Sequence, residues 1–205
     1  QNFLPTPEHE SLVPDLIRFI CCVYHPPNHI LSSDICPRWA VVGWLLNLTS
    51  KSVAVTANAR LALFYDWLFF DPQKDNIMNI EPGMLLMMHS LHKYPQFSAT
   101  LLEFLMLTME NYDASRPEMT RRGVQNSLHI MLSKGVVGSI DPLVSCPAID
   151  PKLRPRVLAT FGQFMASPPA SKAAPPPSPA RAREKPSATP SSGPGPGPGP
   201  GPGPG

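Results

Sequence analysis

Histidines and cysteines are the residues of this sequence whose chemistry would be most specific. Cys22, His25 and His29 lie close together, and thiolate and imidazole groups are common zinc ligands. Pro26 and Pro27 prevent the two histidines from sharing one face of a helix, because a proline disfavours the helical conformation of the residue before it. No fourth ligand lies nearby in the sequence, so we expect these side chains to hold no metal.

A second pair, His89 and His92, is spaced by three residues within a methionine-rich helical segment. Catalysis at such a pair would require a nucleophile held beside it, and the sequence offers no candidate. The glycine-rich phosphate loop, the G-x-S-x-G elbow and the H-E-x-x-H helix are all absent from the sequence. We therefore expect a protein that is not an enzyme and binds no cofactor.

The strongest periodic signal lies in residues 58–70, NARLALFYDWLFF. Leu61, Phe64, Tyr65 and Leu68 follow the i, i+3, i+4, i+7 spacing of one helix face. Further apolar residues leave only a narrow polar sector on this helix. A helix of this kind must be covered on several sides, by other helices or by a partner protein.

The segments around this helix predict about seven or eight helices of roughly 10–19 residues, and no convincing strand. Short loops between amphipathic helices favour antiparallel neighbours. The second helix has Ser32, Ser33 and Asp34 as candidate capping residues, and further helices are expected at 136–145 and from a start between 150 and 155. We predict an all-α fold, a HEAT-like antiparallel helical array, in which residues 1–166 form one scaffold domain.

The last 39 residues have a different composition. Residues 167–205 contain 14 of the 28 prolines, and glycine alternates with proline from 193 to 205. Such a segment has no apolar periodicity from which a core could form. We predict that it is a disordered Pro/Gly-rich C-terminal tail.

Residues 1–166 carry 13 basic and 14 acidic side chains, a formal net charge of −1. A nucleic-acid-binding domain usually shows a basic balance or a basic stripe. The small basic group Arg121, Arg122 and Lys134 nevertheless keeps direct nucleic-acid binding open as an alternative. No apolar run is long enough to span a membrane. Because the sequence begins with Gln1, we expect it to be a piece of a longer protein.

The four cysteines show neither a C-x-x-C pair nor the spacing of a disulfide framework. They are Cys21, Cys22, Cys36 and Cys146. The first two lie in an apolar helical run and are expected to be buried thiols. Reduced cysteines of this kind are typical of an intracellular protein.

Two long stretches resemble a known family. LSSDICPRWAVVGWLL at residues 31–46 and NARLALFYDWLFFDPQKDNIMNIEP at residues 58–82 are similar to the N-terminal helical region of the Integrator complex subunit 3 family, whose members also form part of the SOSS complex, the sensor of single-stranded DNA. The upstream run DLIRFICCVYHPPNHI at residues 15–30 looks similar as well. The resemblance extends more loosely to residue 164.

The resemblance implies a nuclear scaffold, and it leaves a cytoplasmic share open. In that family an all-helical platform holds an OB-fold single-stranded-DNA-binding subunit and a small third subunit, in the DNA-damage response. The family also belongs to the Integrator complex, which processes RNA polymerase II transcripts, so other Integrator subunits are expected partners. Single-stranded DNA would then be bound by the OB-fold of the partner, through stacking and a basic groove.

The aromatic residues of the 58–70 helix and the loop after it are the first candidates for partner contact. They are Trp67, Phe69, Phe70 and Lys74. Exposed aromatic side chains are typical of interface hot spots. Large aromatic residues such as Trp39 and Trp67 are found more often in the core, and the sequence leaves the two roles open.

Overall fold

A computed structural model of the chain describes residues 11–31 and 35–166. Within these residues the helices are α1 (Leu12–Arg18), α2 (Asn28–Leu31), α3 (Arg38–Leu48), α4 (Val53–Leu68), α5 (Glu81–Ser90), α6 (Pro95–Asn111), α7 (Pro117–Ser133), α8 (Asp141–Val144) and α9 (Arg154–Phe161). A π-turn, Phe19–Val23, continues α1, and 3₁₀ turns cover Thr49–Lys51, Ile77–Asn79 and Gly162–Phe164. No strand occurs in this part of the chain, which confirms the predicted all-α class.

Prolines mark the beginnings of five of the described helices. They are Pro82 in α5, Pro95 in α6, Pro117 in α7, Pro142 in α8 and Pro155 in α9, each at the first or second position. The missing N–H costs nothing there, because the first N–H groups of a helix have no partner within it. The last helix begins at Arg154, within the predicted range of 150 to 155. At the other end of α7, Gly135 has a φ of +71°, as expected for the left-handed residue after a helix.

Helix α4 is the centre of the array. Helices α1 and α7 pack on it most extensively, and α3, α5 and α6 contact it as well. Its side chains Leu63, Phe64, Trp67 and Leu68 are fully or almost fully buried. The helix predicted from residues 58–70 is therefore covered on most sides by its neighbours, in the HEAT-like antiparallel array that the sequence predicts.

At Gly123, helix α7 packs directly against the backbone at the end of α4. A Cβ atom placed on Gly123 would lie 2.2 Å from the carbonyl oxygen of Leu68. Nearby, Asn126 Nδ2 donates a hydrogen bond to the carbonyl of Phe70 at 3.3 Å. Because the last carbonyls of a helix lack partners within it, this donor from α7 satisfies an acceptor just beyond the end of α4.

Arg38, the first residue of α3, joins four segments of the chain. Its Nη1 donates to the carbonyls of Ile20 and Tyr24, at 3.1 and 3.3 Å. Its Nη2 donates to the carbonyl of Met78 at 3.2 Å and to Glu81 Oε2 at 2.9 Å. The guanidinium therefore closes the end of the π-turn and ties it to the start of α5.

Two predicted segments differ from the structure. Residues 136–145 were expected to be helical throughout, but the helix covers only Asp141–Val144, because Pro142 can occupy only the first turn of a helix. The candidate caps at residues 32–34 lie outside the described residues, and Pro37 precedes α3 as its capping residue. The tail at 167–205 also lies outside them, so its disorder and the boundary at 166 stay predictions. No described helix is long and apolar enough to cross a membrane.

The cysteines provide a test of this packing. Cys21 and Cys146 are buried and Cys36 is exposed, and all four thiols are free. Burial raises the pKa of Cys21 to about 12, and burial together with a hydrogen bond to Asp66 raises the pKa of Cys22 to about 12.

Because the thiolate is the reactive form, we expect one fast-reacting thiol per native chain, at Cys36, and four after denaturation. Titration with Ellman's reagent measures both numbers. The variant Cys36→Ser should show no fast phase, whereas fast reaction of Cys21 or Cys22 in the native chain would contradict the packing of α1 against α4.

Candidate protein-docking site

Three aromatic side chains form an exposed cluster where α4 and α6 end. Tyr65 and Phe69 are one helical turn apart, and Tyr112 follows α6. The ring centroids are 5.5 Å apart for Tyr65–Phe69, 6.0 Å for Tyr65–Tyr112 and 5.7 Å for Phe69–Tyr112. Tyr65 is 40% exposed and Tyr112 is 43% exposed, whereas Phe69 is half-buried. Tilted and edge-to-face pairs of this kind are favourable, so the three rings, called the aromatic cluster here, form an ordered apolar surface.

Arg18 of α1 supports the aromatic cluster from one side. Its Nη1 and Nη2 donate to Asp66 Oδ2 and Oδ1 at 2.8 and 3.3 Å, and its Cζ lies 5.4 Å from the centroid of the Tyr65 ring. Burial lowers the pKa of Arg18, but the hydrogen bond and the charge of Asp66 raise it by more. The Cys22 thiol donates to the same carboxylate at 2.9 Å. The cation is therefore held charged and in place against Tyr65.

Tyr112 lies against Tyr65, with the two rings edge to face. Partial desolvation raises the pKa of Tyr112, and the neighbouring Tyr65 raises it further. A shallow depression of about 340 Å³ begins at Tyr65 and is lined by Arg18, Asn58, Leu61, Ala62 and Tyr65. Tyrosine and arginine are the residue types enriched in protein-interface hot spots.

The four residues predicted to contact a partner separate into two pairs. Trp67 is fully buried and Phe70 is 3% exposed, because α5 and α7 cover the side of α4 from which Trp67 projects. Phe69 belongs to the aromatic cluster, and Lys74 is exposed and pairs with Asp71 at 3.1 Å. We therefore assign Trp67 and Phe70 a packing role and retain Phe69 and Lys74 as candidate contacts.

The basic residues named for direct nucleic-acid binding do not form one patch. Arg121 and Arg122 lie near the beginning of α7, whereas Lys134 follows its end. At 1.5 Å of rise per residue, about 18 Å of helix separates Lys134 from Arg122. Arg121 also faces Glu118, with 3.7 Å between Nε and Oε1. A contiguous basic stripe, which phosphate binding requires, is not formed by these three residues.

Two of the histidines considered as ligands or catalysts make structural contacts. His25 Nε2 lies 3.1 Å from Asn79 Oδ1 and 3.3 Å from the carbonyl oxygen of Cys21. His89 stacks on Trp39 with ring centroids 4.6 Å apart, and Trp39 is half-buried. No group of three metal-binding side chains occurs within residues 11–31 and 35–166.

Sequence reasoning missed Arg18 and Tyr112 as members of the site. Arg18 is 48 residues away from its partner Asp66, so only the packing of α1 on α4 brings them together. Tyr112 lies just after α6, in a segment that was predicted as a loop. The available signal was weak: Arg18 and Asp66 are among the few charges on largely apolar helices, and such charges usually require a partner.

An all-helical array that presents an ordered surface of aromatic and arginine side chains has the features of a scaffold domain. Comparison with known proteins identifies its family. The family described as "Integrator complex subunit 3 N-terminal" matches residues 1–159. The chain belongs to the Integrator complex subunit 3 family, which confirms the resemblance seen in the sequence.

Several relatives named "Integrator complex subunit 3 homolog" are similar to the chain. The one from Drosophila erecta is 49% identical over 171 residues, which are 83% of this chain and 16% of that protein. The one from Dictyostelium discoideum is 48% identical over 169 residues, 82% of this chain and 11% of that protein. The one from Anopheles gambiae is 48% identical over 168 residues, which are 82% of this chain and 15% of that protein. The chain thus spans 11–16% of the length of these relatives.

Proposed function

We propose that this helical array is a non-enzymatic scaffold within the Integrator and SOSS assemblies. It holds an OB-fold single-stranded-DNA-binding subunit and a small third subunit, and it contacts other Integrator subunits. The assembly acts in the nucleus, with a share in the cytoplasm, in the DNA-damage response and in transcript processing. Membership of the Integrator complex subunit 3 family supports the assembly, and the aromatic cluster is the observation that carries the docking role.

The aromatic cluster suits a protein partner better than a nucleic acid. Its cation is already engaged, because Arg18 is bound to Asp66, and residues 1–166 have a net charge of −1. Phosphate groups would therefore find little uncompensated positive charge. A folded partner would instead bury rings that are already ordered, and little conformational entropy would be lost on binding. DNA stays with the OB-fold of the partner.

The substitutions Tyr65→Ala and Tyr112→Ala are each expected to weaken binding of the OB-fold subunit about ten-fold or more. Truncation of a hot-spot aromatic residue costs enough binding free energy for such a change, since each factor of ten is about 1.4 kcal/mol. Calorimetric titration of the purified subunit into the full chain measures the dissociation constant. Leu158→Ala, which changes an exposed apolar residue of α9, is the matched control and should leave binding unchanged.

Equal affinity of the tyrosine variants and the wild-type chain would contradict this docking role, as would absence of binding by the wild-type chain. Labelled single-stranded DNA tests the alternative with the same protein. Micromolar binding by the chain alone that falls steeply with salt would favour direct nucleic-acid recognition, because phosphate contacts release counterions.

A further inference from the structure

A groove separate from the aromatic cluster runs between α3 and α5. It consists of two depressions of about 430 and 480 Å³, and the side chain of Trp39 lines both of them. Volumes in this range are typical of sites that bind ligands or peptide side chains. The groove shares no lining residue with the aromatic cluster, so it offers a second surface.

The walls of this α3–α5 groove include several aromatic side chains and prolines. Tyr24, Pro37 and Pro82 line the first depression, and Tyr94 and Phe97 line the second. Prolines present no N–H group, so these walls are suited to apolar side chains. Aromatic-lined grooves of this kind are a recurring binding mode for extended peptides.

The distance between the depressions sets the spacing of the side chains that would fill them. On α3 the first is lined from residue 37 to 39 and the second from residue 39 to 47, so their centres are offset by about 6–8 Å along the helix. An extended chain rises about 3.1–3.4 Å per residue. Two side chains that lie two residues apart on an extended segment, about 6–7 Å, therefore match the depressions.

Lys93 directly precedes Tyr94, which lines the second depression, and brings a positive charge to that side of the groove. His92 and Lys93 are exposed beside Tyr94, and no ion pair is found for either of them within the described residues. Among the lining residues the single carboxylate is that of Glu81, which accepts from Arg38 at 2.9 Å. Unpaired positive charge at the rim is complementary to acidic residues in an occupant.

We propose that the α3–α5 groove binds an extended acidic segment of a partner protein. The segment inserts two large apolar side chains, two residues apart, one into each depression on either side of Trp39. Acidic residues next to the second of these side chains lie against Lys93 and His92. This site is additional to the aromatic cluster, which is proposed to receive the folded OB-fold subunit.

Phage display of random dodecapeptides, selected on the full chain, tests this site. The enriched peptides should combine aspartate or glutamate with two large apolar residues two positions apart. For a synthetic peptide from the selection, Tyr94→Ala and Lys93→Glu should each weaken binding five- to ten-fold by fluorescence polarisation. Leu158→Ala and Lys134→Glu are matched controls at exposed positions of α9 and the end of α7, and they should bind like the wild-type chain.

Three results would overturn the proposal. They are no enrichment of any peptide, enrichment of basic peptides, or a peptide affinity that neither Tyr94→Ala nor Lys93→Glu changes. Tyr94 and Lys93 are exposed, so the melting temperatures of their variants should match that of the wild-type chain, and a loss of binding then reports the groove. The OB-fold subunit should bind Tyr94→Ala with unchanged affinity. If Tyr94→Ala no longer bound the OB-fold subunit, that subunit would occupy the groove, and the separation of the two sites would be refuted.

Discussion

Replacing Gly123 by alanine is expected to destabilise the chain by about 3 kcal/mol, at the upper end of the cost of overpacking. The added Cβ would lie 2.2 Å from the carbonyl oxygen of Leu68 and 2.8 Å from the backbone nitrogen of Phe69. These are backbone atoms at the end of α4, so they cannot turn aside as a flexible side chain would. Alanine is the better helix former by about 1 kcal/mol, so a measured loss of stability would show that packing outweighs helix propensity at this position.

Thermal unfolding followed by circular dichroism measures this effect. For a domain of this size, the expected loss lowers the melting temperature by about 6–12 °C. Gly162→Ala is the matched control, because no atom lies within 4 Å of the position its Cβ would take. It should leave the melting temperature unchanged or raise it slightly. Equal melting temperatures for the two variants would contradict the close approach of α7 to α4.

The same contact positions the aromatic cluster. Asn126 of α7 donates to the carbonyl of Phe70, and Ser127 Oγ lies 3.5 Å from the carbonyl of Trp67. Both acceptors belong to the segment that carries Phe69. If α7 is displaced by the added methyl group, the segment loses these donors and Phe69 loses its fixed position. We therefore place Gly123 among the residues that hold the docking surface from behind.

The parts of the fold that could be predicted from the sequence depend on local patterns. The apolar spacing in residues 58–70 predicts a helix that needs cover, and Gly135 indicates where α7 ends. Pro155 likewise predicts the beginning of α9. Each of these signals is produced by residues within one or two turns of one another, so no knowledge of the tertiary structure is needed.

The candidate site depends on contacts that no local pattern reports. The apolar surface of α4 did not reveal which side chains would remain exposed, and Trp67 is covered whereas Tyr65 is not. That difference is decided by where α1, α5 and α7 lie. The same holds for Arg38. Arginine is usually a solvent-exposed residue, but Arg38 is only 8% exposed.

Replacing Arg38 by methionine is expected to cost about 3–5 kcal/mol, the range seen when one partner of a buried ion pair is removed. Methionine fills similar space but has no donor, so Glu81 loses its counter-charge and the carbonyls of Ile20, Tyr24 and Met78 lose their hydrogen bonds. Hydrogen bonds to a charged group are each worth about 1.5–3 kcal/mol. Thermal unfolding should show a melting temperature lower by about 10 °C or more.

Three further variants determine the cause of that loss. Arg38→Lys keeps the charge, but a compact ammonium group cannot reach acceptors on both sides as a planar guanidinium does, so it should recover less than half of the stability. Combining Arg38→Met with Glu81→Gln removes the unpaired carboxylate and should recover part of it. Arg116→Ala breaks only an exposed pair with Asp113 and should change little. An unchanged melting temperature for Arg38→Met would mean that the π-turn needs no such closure, and Tyr24 and Trp39 would then line the groove without help from Arg38.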